Sequence, residues 1–300
     1  MCGISGLIKK NKNIEKHSNI SLEKYYNSHL KMKHRGYDDE GFILCEGRKI
    51  VHLTGDDTHK SIQSNHILNL KNYNWIIGHR RLSIIDLSVN GHQPMEFDGL
   101  YLSYNGEIFN YLELKKELES YGYSFVSNSD TEVLLKAYHK WKEGVWNKLN
   151  GMWAGVIYDT RDNTFTLFRD QYGIKPLYYY DGDDYFIFGS EIRYIREFIE
   201  NPKYDRDSLL DYLIYMKVNH TEQTFIEGIK QVEPGNYLSL KNNLLSKSNY
   251  LRKETKNIYS LASLNKKIKS AIKIRLRSDV EIGCMLSGGI DSSGIVSIIS

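Results

Sequence analysis

The 300-residue chain is 41% apolar and 26% charged, ordinary for a globular protein and long enough for about two domains. With 40 Lys and Arg against 37 Asp and Glu, the formal net charge is +3 and like charges form no long run, so nothing favours nucleic acid or a membrane surface as a partner. The sparse, odd set of 3 cysteines (Cys2, Cys45 and Cys284) argues against a disulfide framework and predicts a reducing, cytoplasmic setting, and no apolar run reaches the ~18 residues of a membrane-spanning helix.

In chain order, "CGISGLIKK" reads as a short alternating strand that enters a Lys- and Asn-rich loop. Residues 20–34 place Leu22, Tyr25, Tyr26 and Leu30 at helical spacing. Strand-like runs bounded by Gly, Asp and Asn follow: "GFILCEG", "WIIGHRRLSIIDL", "LYLSYNGEIFN", "WAGVIYDT", "TFTLFRD", "PLYYYD" and "DYFIFGS". Helices fit 110–121 and 130–142, the latter with Ser129 or Asp130 as its N-cap. Many short sequential strands with a few helices predict stacked antiparallel sheets plus helices over residues 2–200.

Residues 201–257 read as a linker and connecting segment, with "ENPKYDRDSLLDYLIYMKV" as linker followed by a helix, a strand-like "GNYLSL" and a polar stretch at 241–257. A basic amphipathic helix is expected over 260–277. Then "EIGCMLSGGIDSSGIVSIIS" reads as apolar strand, glycine turn and apolar helix, the unit of a parallel α/β sheet, with Cys284 in its core. One strand and a partial helix close no core. Either this second domain is truncated, or residues 206–300 pack on the first.

Cys2 poses the first chemical question. It reads as a small buried apolar residue, a lipidation site, or a nucleophile whose own α-amine is its base. N-myristoylation needs Gly where Cys2 stands, and a lipidated cysteine needs a hydrophobic leader, so the second reading falls away. If Met1 is removed, a thiol of pKa ~8.5 lies beside an amine of ~7.7–8.0, matched for proton transfer at neutral pH. Gly3, Ser5 and Gly6 are expected to leave a substrate room. Amide chemistry also needs oxyanion donors and charge clamps. "YNGEIFN" offers the Asn105 amide and the Gly106 N–H, although Asn-Gly also reads as a plain turn. Arg81 ends a strand and suits a carboxylate, or a surface ion pair. Asp130 opens a helix and suits an ammonium, or only caps it.

Taken together, "MCGISG", "HRG" at 34–36, "HRRLSIIDL", "YNGEIFNY", "SDTEVLL", "GMWAGVIYD", "RDQYGIKPLYYY" and "SEIRYI" resemble, in order, the class II glutamine amidotransferase domain of glutamine-hydrolysing asparagine synthetases. The resemblance spans about residues 2–200. It implies an α+β N-terminal nucleophile (Ntn) sandwich of antiparallel sheets with helices, in which Cys2 attacks the side-chain amide of glutamine. It implies Asn105 and Gly106 as oxyanion donors, Arg81 on the α-carboxylate, and Glu107 with Asp130 on the α-amino side. Tyr37 stands where the family usually has proline, which puts the loop geometry there in question.

"SGGIDSS" at 287–293 lacks the Gly-Lys-Ser/Thr of a Walker A loop. Read alone it is a tight strand–helix turn or an anion cradle at a helix N-terminus. With "SDVEIGCML" before it, the segment is similar to the loop of ATP pyrophosphatases, implying the truncated start of an α/β parallel-sheet ATP-pyrophosphatase domain over 258–300. That resemblance implies Leu286, Ser287, Gly288, Gly289, Asp291, Ser292 and Ser293 around ATP, with Asp291 near Mg²⁺. The joint expectation is that ammonia from glutamine, channelled between sites, amidates an aspartyl-AMP made from ATP and aspartate. The family resemblance adds a homodimer. This chain alone is expected to supply at most the glutaminase half. Two other readings stay open: a different acceptor carboxylate, such as a sugar acid or peptide side chain, and a truncated non-catalytic partner subunit.

Overall fold

The computed structural model describes residues 1–10, 19–251 and 260–300. The loop expected after the first strand falls largely outside them, as does part of the polar stretch at 241–257. The strands are β1 (Gly3–Lys9), β2 (Asp39–Glu46), β3 (Lys49–Thr54), β4 (Asn65–His66), β5 (Trp75–Arg81), β6 (Met95–Phe97), β7 (Leu100–Ile108), β8 (Gly151–Asp159), β9 (Thr164–Arg169), β10 (Tyr178–Asp181), β11 (Tyr185–Gly189), β12 (Ile229–Gln231), β13 (Asn236–Lys241) and β14 (Leu244–Asn249). The α-helices are α1 (Leu22–Leu30), α2 (Tyr111–Ser120), α3 (Asp130–Trp141), α4 (Ile192–Arg196), α5 (Arg206–Tyr215), α6 (Leu261–Arg275) and α7 (Ile290–Ile299).

The strands form an eight-stranded sheet, ordered β12-β10-β11-β1-β5-β2-β3-β4, and a six-stranded sheet, ordered β14-β13-β9-β8-β7-β6. Pairing is antiparallel except between β3 and β4. The period of two in the sequence decides what each face buries. Ile4 and Ile8 of β1 join Ile77, Val156, Leu167 and Phe188 in the core between the sheets. Leu7 points the other way, into the core under α1 and α4 with Tyr25, Phe42 and Tyr194. A third core lies between the six-stranded sheet and α2 and α3, holding Leu102, Leu118, Leu134, Leu135 and Trp153. The result is a sandwich covered by helices on both outer faces, the expected α+β Ntn architecture. Each fully buried Leu or Ile contributes roughly 1.5–3 kcal/mol.

The termini of the helices follow from local chemistry. Ser21 Oγ accepts the Lys24 N–H and so caps α1. Ser129, not Asp130, caps α3, through the Thr131 N–H at 3.1 Å. Asp130 is thereby released from the dull role left open for it.

Residues 229–249, expected within the connecting segment, pair into both sheets: β12 onto β10, and β13 onto β9 with β14 outside it. The polar sequence of β14 concealed it, because an edge strand with one solvated face needs no apolar alternation. Past residue 260, α6 and α7 bury none of their residues. Residues 281–286, expected as an apolar strand, form none, because among the described residues no neighbouring strand offers a ladder. Cys284, expected in a core, is therefore exposed. Docking on the sandwich runs through residues 277–279. Arg277 pairs with Glu113 at 2.6 Å and donates to the Phe109 carbonyl at 2.5 Å. The Asp279 N–H donates to Ile84 O at 3.0 Å, and its carboxylate accepts the Asp86 N–H at 2.7 Å. Among the described residues no helix is long and apolar enough to cross a membrane.

Candidate active site

Cys2 immediately precedes β1, which lies between β11 and β5 in the eight-stranded sheet. Register sets Gly3 opposite Arg80, so the next residue of β5, Arg81, ends its strand beside the thiol. The Leu82 N–H donates to Cys2 Sγ at 3.4 Å, and the thiol donates to Leu82 O at 3.7 Å. From the other sheet, β7 supplies Asn105, Gly106 and Glu107, and α3 supplies Asp130. These residues and Cys2 and Arg81 all wall one cavity of about 170 Å³. Every residue expected to handle glutamine thus stands on one surface.

Their local states bear on the alternatives. Asn105–Gly106 is no turn; it sits inside the nine-residue β7, paired to Ala154 and Trp153. A Cβ on Gly106 would stand 2.3 Å from Met152 O, so the close strand approach requires glycine. Asn105 is 1% exposed, and neither its Oδ1 nor its Nδ2 has a hydrogen-bond partner among the described residues. A buried amide left unpaired costs about 1–3 kcal/mol, which marks a group held ready for a ligand. Arg81 is buried rather than a surface ion-pair partner. Its guanidinium donates to Ser88 O at 2.9 Å and to Asp86 O, and Gly91 makes room for it, since a Cβ there would fall 1.9 Å from Nη2. Two of its five N–H groups are used in this way. The Asp130 carboxylate accepts from Tyr104 Oη at 3.0 Å and from the Ile108 N–H at 2.9 Å. Burial nevertheless raises it to about 6. Burial also raises Glu107, against the pull of Lys175 and the terminal amine. The Cys2 thiol is pushed up by burial and drawn down by the Leu82 N–H, the Met1 α-amine, Arg81 and Lys175. Burial lowers the Met1 α-amine, with Lys175 and Arg35 adding to the effect.

Three expectations need revision or completion. Gly6 leaves no room for a substrate: a Cβ there would lie 1.9 Å from the Phe188 ring, so this glycine serves core packing. Ser5 is fully buried, bonded to Tyr25 Oη at 2.7 Å and His29 Nδ1 at 2.8 Å. Tyr37 is 61% exposed, and its neighbour Asp38 anchors the loop, accepting the Ser83 N–H at 2.7 Å and donating to Arg81 O at 3.1 Å. The loop is fixed without the family's proline.

Several contributors carried no expected role. Arg35 Nε donates to Cys2 O at 2.9 Å while its guanidinium pairs with Glu191 at 3.2 Å. Glu191 also holds His34 at 2.7 Å. "HRG" and "SEIRYI", legible only as marks of resemblance, therefore meet to fix the backbone of Cys2. Gln93, itself on the cavity wall, accepts the Tyr104 N–H through Oε1 at 2.7 Å. Lys175, inside a quoted motif, also lines the cavity. The available signal for Arg35 and Lys175 was a basic residue held within a run of turn residues.

The second expected site stands apart. Leu286 to Ser293 form an exposed turn into α7, off the wall of this cavity. Gly288 takes φ +81°, and nothing lies within 4 Å of where its Cβ would stand, leaving space for a phosphate. Ser287 Oγ and Ser292 Oγ lie 3.0 Å apart. Asp291, in the first turn of α7, supplies an oxygen ligand of the kind Mg²⁺ takes. Among the described residues no cluster of three or more His, Cys, Asp or Glu could hold a metal, so this loop fits Mg²⁺ only as a companion of bound phosphate.

A family model described as "Glutamine amidotransferase domain" matches residues 50–251, and one described as "Asparagine synthase" matches residues 263–300. Asparagine synthetase (glutamine-hydrolyzing) 1 of Bacillus subtilis is 35% identical over 269 residues, covering 87% of this chain and 41% of its own length. Amidase chry2 of Gibberella zeae is 33% identical over 263 residues, covering 84% of this chain and 37% of its own. The chain spans about half the length of the curated relatives it matches. A solved glutamine phosphoribosylpyrophosphate amidotransferase from B. subtilis superposes with a TM-score of 0.60 at 21% identity, covering 86% of this chain and 50% of that one, a likeness of fold.

Proposed function

This chain belongs to the glutamine amidotransferase domain family, and from that premise we propose that Cys2, freed of Met1, hydrolyses the side-chain amide of glutamine. The Cys2 α-amine takes the thiol proton as sulfur attacks the amide carbon. The oxyanion forms against Asn105 Nδ2 and the Gly106 N–H. The ammonium formed at the α-amine returns the proton to the leaving nitrogen, and ammonia departs from a thioester. Water, activated by the same amine, releases glutamate. Glutamine plus water thus gives glutamate plus ammonia. Arg81 holds the α-carboxylate and Glu107 with Asp130 the α-ammonium. The observation that carries this reading is Asn105: a buried amide without partners on the wall it shares with Cys2.

The destination of the ammonia is a further part of the proposal. The match of residues 263–300 and the B. subtilis relative favour an acceptor activated by ATP, namely the β-carboxylate of aspartate converted to aspartyl-AMP with pyrophosphate released. Leu286, Ser287, Gly288, Gly289, Asp291, Ser292 and Ser293 would then cradle the phosphates of ATP, with Asp291 on Mg²⁺. The division near residue 258 between donor and acceptor domains, a cytoplasmic setting and a homodimer belong to the same reading. A relative named as an amidase favours a second one, in which the same donor half serves a different carboxylate. The test of the donor half is release of glutamate and ammonia from glutamine by the wild-type chain and by Cys2→Ala. Release by the former and none by a folded Cys2→Ala is expected. Equal rates in the two would refute the assignment.

A further inference from the structure

Lys175 is the charged group on the cavity wall that the mechanism above leaves unused. Only 7% of it is exposed, and among the described residues its Nζ, on a side chain that lines the cavity, has no hydrogen bond or ion pair. It shares the wall with Cys2, Met1 and Glu107. Burying an ammonium unpaired is costly, and the backbone that imposes this is elaborately fixed. The Asp170 carboxylate, wholly buried, accepts the N–H groups of Tyr172 (2.9 Å), Ile174 (3.0 Å) and Lys175 itself (3.1 Å). Arg169 donates to the carbonyls of Lys175 (2.7 Å) and Gly173 (2.8 Å), and to Val232 O at 2.7 Å. Gly173 takes the left-handed φ of +64° that closes the turn. The loop presents one cation to the cavity and hydrogen-bonds its own polar backbone.

We propose that Lys175 is a positioning residue for the nucleophile, its ammonium favouring the Cys2 thiolate and opposing a second positive charge on the adjacent α-amine, so that the amine stays in its basic form. This inference rests on Cys2 being the nucleophile. The groups facing the pair are Arg81 and the Leu82 N–H from the end of β5, Glu107 and Tyr104 from β7, Asp130 from α3, and Arg35 with its partner Glu191 behind the Cys2 carbonyl. Arg35 and Arg81 are both engaged with protein oxygens. Lys175 is the cation of this group left without such a partner, so its charge acts on the thiol and the amine. Burial lowers Lys175 from the ordinary lysine range, while Glu107, Cys2 and Asp170 oppose that fall. Its charge favours the Cys2 thiolate, and in the chain that still carries Met1 it opposes protonation of the terminal amine on the same wall.

The test measures the rate of Cys2 alkylation by iodoacetamide against pH, read by peptide mass, in the wild-type chain, Lys175→Met and Lys175→Arg. Iodoacetamide needs no glutamine site, so the result stands whether or not glutamine is the substrate. Loss of the cation is expected to move the midpoint of alkylation up by about one pH unit, and Lys175→Arg, which keeps the charge, is expected to restore it. The acid limb of kcat/KM for glutamine should move up with it in Lys175→Met. Should Lys175→Met fold poorly, Lys175→Gln carries the same comparison. An unchanged midpoint in the neutral variants, or an equal displacement in Lys175→Arg, overturns the proposal. Normal alkylation profiles with no glutaminase activity in any variant would instead refute the function and this role together, and shifted profiles without activity would refute the function alone.

Discussion

Truncating Asn105 to alanine separates activity from stability more sharply than any other single change here. Loss of one oxyanion donor removes about 2.7–4 kcal/mol of transition-state stabilisation, so kcat for glutamine hydrolysis should fall ~10²–10³-fold. Stability should move the other way or not at all. The amide is 1% exposed and has no partner, a state that costs the fold about 1–3 kcal/mol. The space vacated by Asn105→Ala opens onto the substrate cavity and is not a sealed void, so water can fill it. For a unit of about 200 residues each kcal/mol corresponds to roughly 2–4 °C in Tm. Steady-state glutamate release and thermal unfolding, run on the same preparation, are the assays. A kcat within tenfold of wild type, or a Tm several degrees lower, would refute the reading of Asn105 as an amide kept unpaired for catalysis.

Other consequences follow from particular contacts. Gly6→Ala places a methyl group against the Phe188 ring and should destabilise by about 1–3 kcal/mol; thermal melts should find part of that recovered in the Gly6→Ala, Phe188→Leu double variant, whereas a substrate-room role would raise KM and leave Tm alone. Asp130 titrates near 6, above its unfolded value of ~3.9, so the native state binds its proton more tightly. Its stabilising contribution is full below pH ~4 and is lost as pH rises through about 6. Asp130→Asn should therefore gain stability over wild type at pH 7 and little at pH 4, by denaturant titration at the two values. On the proposal that the ionised carboxylate holds the α-ammonium, kcat/KM for glutamine should fall in wild type as pH drops through about 6. Arg35→Ala frees the Cys2 carbonyl and should lower kcat at least tenfold, with glutamate release as the measure. Asp279→Ala removes the carboxylate that accepts the Asp86 N–H, in the loop whose Asp86 carbonyl holds Arg81, and should raise KM for glutamine several-fold.

The strands that carry the site were legible because their residues alternate between two buried layers, as Ile4, Leu7 and Ile8 do. Cys2, Arg81, Asn105, Gly106, Glu107 and Asp130 were singled out by chemistry and motif, and the fold brings them onto one cavity wall. What escaped depends on tertiary contact. Gly6 next to a cysteine looks like open space until the Phe188 ring is placed over it. Arg35 and Glu191 are far apart in the chain, and only β1, lying beside β11, brings their segments together. Lys175 stood inside a quoted motif, but nothing local says that its side chain ends on the wall it shares with the thiol. The segment 281–286 has the composition of a buried strand and no sheet to join, so the propensity of its residues for strand has nothing to express it.

The most direct test of the central claim is the mass of the mature amino terminus before and after treatment with a glutamine analogue bearing an electrophilic ketone in place of the amide. The account predicts that Met1 is absent, that one adduct forms on Cys2, and that excess glutamine slows its formation. An active chain that retains Met1, or a Cys2 that stays unmodified while glutamine is hydrolysed, would contradict it.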